Sequence, residues 1–172
     1  MGQDPVQTPC MDAFAARSML CTDAVSSFPL CSPHRASLLT GRWPQTTGMF
    51  TNCKPGLSVR LRDDEVCIPE VAKQHGYRTA YIGKWHLDEP EINHSPAPAS
   101  GARDWDAYTP PGVRRHGFDT WYAYNTCDTH LTPHYWADSP EKIEVNEWSP
   151  VHETDMAIRY LEQADKNAPF ML

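Results

Sequence analysis

Cys31, Arg35, Lys84 and His86 are the side chains whose types and surroundings can do chemistry: a thiol, two cations and an imidazole, in runs with strong local signals. In Cys31-Ser32-Pro33-His34-Arg35-Ala36-Ser37-Leu38-Leu39-Thr40-Gly41-Arg42, Ser32 suits an N-cap, Pro33 the first helical position, and Gly41 the left-handed residue past the helix end. The pattern predicts Cys31 just before a helix N-terminus, where free N–H groups and the helix dipole favour negative charge by about 0.3–1 kcal/mol. Each tenfold in rate needs about 1.4 kcal/mol, so further groups must converge, and Arg35 in the first turn is the nearest cation. Downstream, the spacing predicts a helix over Pro69 to His75 stopped by Gly76, then a strand from Arg78 to Ile82 ended by Gly83. Extended residues two apart point the same way, so Lys84 and His86 should project together from the strand's carboxyl end, the edge at which open α/β sheets take ligands.

The two runs resemble the signatures of the formylglycine-dependent sulfatases, of the alkaline phosphatase-like superfamily. The first carries Cys-x-Pro-x-Arg and then Leu-Thr-Gly-Arg; the second, Gly76-Tyr77-Arg78-Thr79 leading to Gly83-Lys84-Trp85-His86, carries Gly-Tyr-x-Thr and Gly-Lys-x-His. The resemblance implies an α/β domain over residues 1–172, with a largely parallel sheet flanked by helices. It also implies hydrolysis of sulfuric esters, on sulfated carbohydrate or another sulfated small molecule. Cys31 would be oxidised by a formylglycine-generating or equivalent maturation enzyme to an aldehyde. One hydroxyl of its hydrate would attack sulfur in line, and the second would expel sulfate and restore the aldehyde. By position, Cys31 is the nucleophile precursor and a metal ligand, and Arg35 steadies the diol. Lys84 grips a sulfate oxygen, and His86 assists deprotonation or collapse of the diol, imidazole titrating in the useful range. The implied cofactor is a divalent cation, calcium or alternatively magnesium. Two alternatives stand beside this one: a phosphonate monoester or phosphate diester hydrolase of the same superfamily, and an inactive remnant acting as a binding module. A thiol redox or zinc protein would need paired cysteines, which the sequence lacks.

Family members bind the metal through four further side chains, and none is recognisable here. An acidic pair should precede Thr8-Pro9-Cys10-Met11-Asp12, which is similar to the family's Thr-Pro-Asn-Leu-Asp, and an Asp with an Asn, Gln or His should follow later in the domain. One diol oxygen cannot hold calcium alone. The chain therefore reads as a fragment incomplete at both ends, and Ala168-Pro169-Phe170-Met171-Leu172 reads as the opening of a buried strand. Asp63-Asp64-Glu65 reads as a solvated loop and not as a replacement acidic cluster. Ser149 and Pro150 begin a helix to about Ala164, with Val151, Thr154, Ile158 and Leu161 as its core stripe.

The formal charge of −7 argues against a nucleic-acid partner, and no segment is apolar enough to span a membrane or to act as a secretory signal. Beyond Cys31, the thiols Cys10, Cys21, Cys53, Cys67 and Cys127 are expected mostly reduced, buried or half-buried, with room for one or two bridges. The stretch from Pro90 to Pro111 reads as a long surface excursion of the kind that shapes a mouth, with Arg103, Arg114 and Arg115 as local cations. Trp121 and Tyr122 are expected to pack. Asp128, His130, His134, Tyr135 and Trp136 cluster in a further loop. There His130 and His134 are candidate substrate contacts, since Pro133 breaks the helix that a zinc pair at that spacing needs.

Overall fold

The protein is described by a computed structural model covering residues 5–126 and 129–172. Cys127 and Asp128 lie outside the described residues. In chain order the elements are α1 (Pro9–Ala15), α2 (Cys31–Thr40), α3 (Pro44–Thr47), α4 (Ile68–Gln74), β1 (Arg78–Lys84), β2 (Thr120–Tyr124), β3 (His134–Tyr135), β4 (Ile143–Glu144), α5 (Ser149–Gln163) and β5 (Phe170–Met171). Short 3₁₀ turns occupy Glu91–Asn93 and Val113–Arg115.

The central sheet is parallel, in the order β2-β1-β5. Ala80 to Lys84 pair with Thr120 to Tyr124, and Arg78 and Thr79 pair with Phe170 and Met171. A small antiparallel pair, β3 with β4, joins this sheet through a bridge between Ala123 and Trp136. Alternation along the strands builds two cores. Tyr81, Trp121 and Ala123 meet Ala36 and Leu39 of α2 on one face, whereas Ile82, Tyr122 and Tyr124 meet Tyr135, Trp136 and Met156 on the other. The chain is thus an α/β unit whose parallel sheet has helices on both faces. No helix of the described residues is long and apolar enough to cross a membrane.

Several local expectations need correction. Helix α2 begins earlier than its capping pattern suggests: Leu30 is the N-cap, in extended conformation, and Cys31 lies within the first turn. The reason lies across the fold. The Ser32 N–H donates to Asn52 Oδ1 and the Ser32 hydroxyl accepts from the Cys53 N–H, so Ser32 is already engaged and an orphan helix donor is satisfied from outside. At the other end Gly41 takes the left-handed conformation as expected.

Strand β1 does not end at Gly83 but continues through Lys84. Gly83 has φ +101, and a Cβ there would lie 3.2 Å from Glu153 of α5. The glycine therefore permits close helix packing and does not mark the strand's end.

The stripe expected as the core of α5 lies mostly outward, with Val151, Ile158 and Leu161 exposed. Ser149, His152, Glu153, Met156, Ala157 and Tyr160 face inward instead, a stripe of helical period that carries polar groups. β5 forms, but at the sheet edge, where Phe170 is 44% exposed. Glu65, placed in a solvated loop by its neighbours, is fully buried against Arg42 and Arg62. Among the described cysteines none is bridged; Cys53 and Cys67 are buried, and Cys10, Cys21 and Cys31 are exposed. The Pro90 to Pro111 stretch is more than a surface excursion, since Ser100, Ala102, Asp106, Ala107 and Thr109 are buried. It also makes the crossover that joins parallel strands β1 and β2.

Candidate active site

At the carboxyl ends of β1 and β2 a cavity of about 1050 Å³ is lined by Cys31, Asn52, Lys84, His86, Trp105 and His134, among others. The first turn of α2 supplies Cys31, and the end of β1 supplies Lys84 with His86 just beyond it. A second, mostly apolar groove of about 1120 Å³ runs between α4 and β5 past Ile68, Val71, Phe170 and Met171. It holds none of the four residues singled out above, three of which line the polar cavity.

A chain of hydrogen bonds fixes the cavity's parts relative to each other. Arg35 Nη1 donates to the Lys84 carbonyl at 2.7 Å and to the Tyr81 hydroxyl at 3.3 Å, and that hydroxyl itself donates to the Lys84 carbonyl. Arg35 is not part of the polar cavity's lining; with Cys31 it borders a smaller pocket on the outer side of α2. Its guanidinium braces the strand end that carries Lys84.

His86 is almost wholly buried and sits at φ +54, a strained conformation for a non-glycine residue. Its Nε2–H donates to the Cys53 carbonyl at 3.1 Å, and Nδ1, also buried, has no partner. Burial, helped by the positive charges of Lys84 and Arg35, pushes the ring's pKa down to about 4. His86 therefore does not titrate near neutrality, as an ordinary imidazole would. It stands as a neutral ring with a lone pair on Nδ1. Cys53 itself is a buried thiol pushed up to about 12 by its burial, hence inert.

His134 lines the same cavity, and its Nε2 meets the carboxylate of the buried Asp106. Asp106 is a hub: Oδ1 also accepts the backbone N–H groups of Ala107, Asn125 and Thr126. His130 is outside the lining, with its Nδ1 3.2 Å from the Ser149 hydroxyl at the start of α5. Arg103 lines the cavity. Arg114 pairs with buried Asp88, and Arg115 is buried against Asp138, two backbone carbonyls and the Trp121 ring, so both are structural. Asn52, Trp105, Asp106 and Thr126 carried no local sequence signal. Thr126 follows directly from the end of β2, whereas Asn52, Trp105 and Asp106 reach the site only because two loops fold back over the strand ends.

Only one group of three or more His, Cys, Asp or Glu side chains among the described residues is close enough to share an ion: Cys67, Glu70 and His116, in the core and away from Cys31. Calcium and magnesium take six or more oxygen ligands. The described residues therefore bring no cation site together at Cys31.

A family model described as Sulfatase matches residues 1–172. The "Endo-4-O-sulfatase" of Bacteroides thetaiotaomicron is 43% identical over 178 residues, covering 98% of this chain and 35% of the relative. The "Ulvan-active sulfatase" of Formosa agariphila is 43% identical over 172 residues, covering 99% of this chain and 30% of the relative. A solved structure from work on the metabolism of multiple glycosaminoglycans by Bacteroides thetaiotaomicron superposes with a TM-score of 0.88 at 44% identity, over 97% of this chain and 36% of that one. The chain spans about a third of the length of the curated relatives it matches.

Proposed function

The chain belongs to the sulfatase family, and on that premise we propose that it carries the nucleophile-bearing part of an enzyme that hydrolyses sulfate esters of carbohydrates. The observation that carries this reading is the meeting of Cys31, Lys84 and His86 in one cavity, with an unpartnered nitrogen on His86. The two curated relatives named above act, by their names, as an endo-4-O-sulfatase and on ulvan, which supports a sulfated carbohydrate as substrate.

The family uses formylglycine and a metal. Cys31, exposed at the cavity's lip, is the position for the modification, and a maturation enzyme would be its partner. Formylglycine supplies, as its hydrate, an oxygen nucleophile and a second hydroxyl that releases sulfate. The described residues assemble no cation site at Cys31; in the whole enzyme Cys31 would be one ligand of a divalent cation, calcium or magnesium, completed by side chains from elsewhere.

The chain's own residues then take these roles. Lys84 offers an ammonium to the sulfate, where charge builds in the transition state. His86, neutral and with Nε2–H committed to the Cys53 carbonyl, accepts a proton at Nδ1. Arg35 holds the Lys84 backbone in register and adds positive charge beside Cys31. His134, set by Asp106, is a substrate contact, and His130 supports the start of α5.

The test is maturation and then turnover. After co-expression with a formylglycine-generating enzyme, mass spectrometry of the peptide containing Cys31 should show –CH₂SH exchanged for –CHO. An enzyme carrying this segment should release sulfate from a sulfated sugar faster than it cleaves an aryl phosphonate. Cys31→Ala should abolish the release. An unmodified thiol, or sulfate release undiminished in Cys31→Ala, would overturn the reading.

A further inference from the structure

We infer that the cavity wall beside His86 is a pyranose-binding subsite, with the indole of Trp105 as its stacking face and the Thr126 hydroxyl as a polar contact. This deepens the sulfated-carbohydrate reading above and rests on it. Trp85, Trp121 and Trp136 fill the cores, whereas Trp105 lines the polar cavity and is 37% exposed. Its ring centroid lies 6.2 Å from that of His86, tilted by 50°. A sugar lying on this indole would thus reach towards the residues assigned to the sulfate.

The backbone that carries that indole is tied down on both sides. Asp104, just before it, is one of three non-glycine residues with positive φ among the described residues, and His86 is another. Strained backbone of this kind collects at sites where geometry is over-determined. Asn125 Nδ2 donates to the Trp105 carbonyl at 3.0 Å, and Asp106 ties the same loop to Asn125, Thr126 and His134. An aromatic ring on backbone held in this way has little freedom to lose when it stacks on the apolar C–H face of a sugar ring.

The polar groups around the indole suit hydroxyls. Thr126 Oγ1 is buried in the cavity wall and has no hydrogen-bond partner, a cost that a ligand hydroxyl would remove. Asp104 and Glu144 line the cavity as acceptors and offset Arg103 and Lys142. Lys142 is turned aside: its ammonium donates to the Gly101 carbonyl and lies over the Trp136 ring. The charge is therefore balanced around Trp105, which favours the hydroxyls and C–H face of a sugar over a second anionic group.

The experiment titrates the chain with unsulfated methyl β-glycosides of galactose, glucose, N-acetylgalactosamine and N-acetylglucosamine, followed by the indole N–H resonances. At least one glycoside should shift the Trp105 signal. Trp105→Ala should weaken that glycoside about tenfold, which is about 1.4 kcal/mol, while Trp105→Phe should stay within about threefold of the parent. Thr126→Val, which removes no ring, should weaken it as well and keeps the test decisive if Trp105→Ala does not fold. No shift with any glycoside at about 50 mM, a range where even weak sugar sites fill, would overturn the subsite. So would parental affinity in Trp105→Ala, or in Thr126→Val where Trp105→Ala does not fold. The two proposals fail separately, because glycoside binding does not depend on Cys31. Binding with an unmodified thiol would leave the subsite and remove the sulfatase reading; maturation and sulfate release with parental binding in Trp105→Ala would do the reverse.

Discussion

His86→Gln should make the fold markedly less sensitive to acid. In the native protein the His86 ring is buried, its Nε2–H is held by the Cys53 carbonyl, and burial with nearby positive charge depresses its pKa from the ordinary 6.5 to about 4. The unfolded chain therefore binds a proton at this ring near pH 6.5, and the folded chain only near pH 4. Where the unfolded state holds more protons, stability rises with pH. The neutral ring's contribution is thus full above the unfolded value and is lost progressively as pH falls through the window between the two. A depression of that size corresponds to about 3 kcal/mol across the whole window, of which about 2 kcal/mol is gone by about pH 5.

Glutamine keeps a donor for the Cys53 carbonyl and does not titrate. Urea unfolding of both proteins, followed by tryptophan fluorescence at about pH 7.5 and about pH 5, should show an acid loss smaller by about 2 kcal/mol in the variant. Carboxylates and the other histidines are common to both proteins and cancel in the difference. Equal acid losses, or a His86 resonance titrating near its ordinary value, would refute the argument that this imidazole stands neutral as a proton acceptor.

Three further outcomes are expected. Gly117→Ala should destabilise the fold by about 2–4 kcal/mol, because the new Cβ would sit 2.5 Å from the Glu70 backbone nitrogen and φ is +90; denaturant midpoints measure it, and a change below about 0.5 kcal/mol would contradict the packing. Arg115→Lys should cost about 2–3 kcal/mol despite conserving charge, since one buried guanidinium bonds Thr109, Ala137 and Asp138 and covers Trp121; a thermal melt matching the parent's would show that the planar fork is dispensable. Lys84→Ala should reduce affinity for a sulfated glycoside at least about tenfold while leaving its unsulfated counterpart little changed, as expected for a lost charge-assisted contact; calorimetric titration of the pair decides it, and an equal loss for both would mean that Lys84 shapes the cavity without gripping the anion.

The elements around Cys31 are legible because their information is local. A proline in the first turn, a glycine at the left-handed end and a glycine closing α4 are choices that the backbone enforces within a few residues. Lys84 and His86 do line one cavity, but β1 ends at Lys84 and His86 lies beyond it in the left-handed region, so strand period alone does not account for their meeting. What is not legible depends on partners distant in sequence. Ser32 looked like a cap, yet its hydroxyl belongs to Cys53, twenty-one residues on. Glu65 looks solvated because its neighbours are charged, but its carboxylate is buried beneath the half-exposed guanidinium groups of Arg42 and Arg62, which pair with it. The buried stripe of α5 differs from the one its apolar periodicity indicates because its inner face carries His152 and Glu153, which hydrogen-bond Tyr122 and Tyr135, and apolar periodicity cannot see polar residues that pack. Trp105 and Asp106 sit in a stretch whose proline content signals only irregular chain.

These long-range partners are what make the site one object. Cys31 and His86 come from segments with no regular secondary structure in common, and the link between them runs through residues 52 and 53. Asn52 takes the Ser32 N–H, the Ser32 hydroxyl takes the Cys53 N–H, and the Cys53 carbonyl takes His86 Nε2. A second link runs from Arg35, one helical turn beyond Cys31, to the carbonyl of Lys84. Each bond is worth only about 1 kcal/mol net, but leaving any of these buried groups unpaired would cost more, so the two links resist sliding of α2 along β1. Cys31 therefore needs no strand of its own to be positioned. Its place relative to Lys84 and His86 follows from hydrogen bonds made by the residues beside it, which leaves the thiol itself exposed while Lys84 and His86 are held.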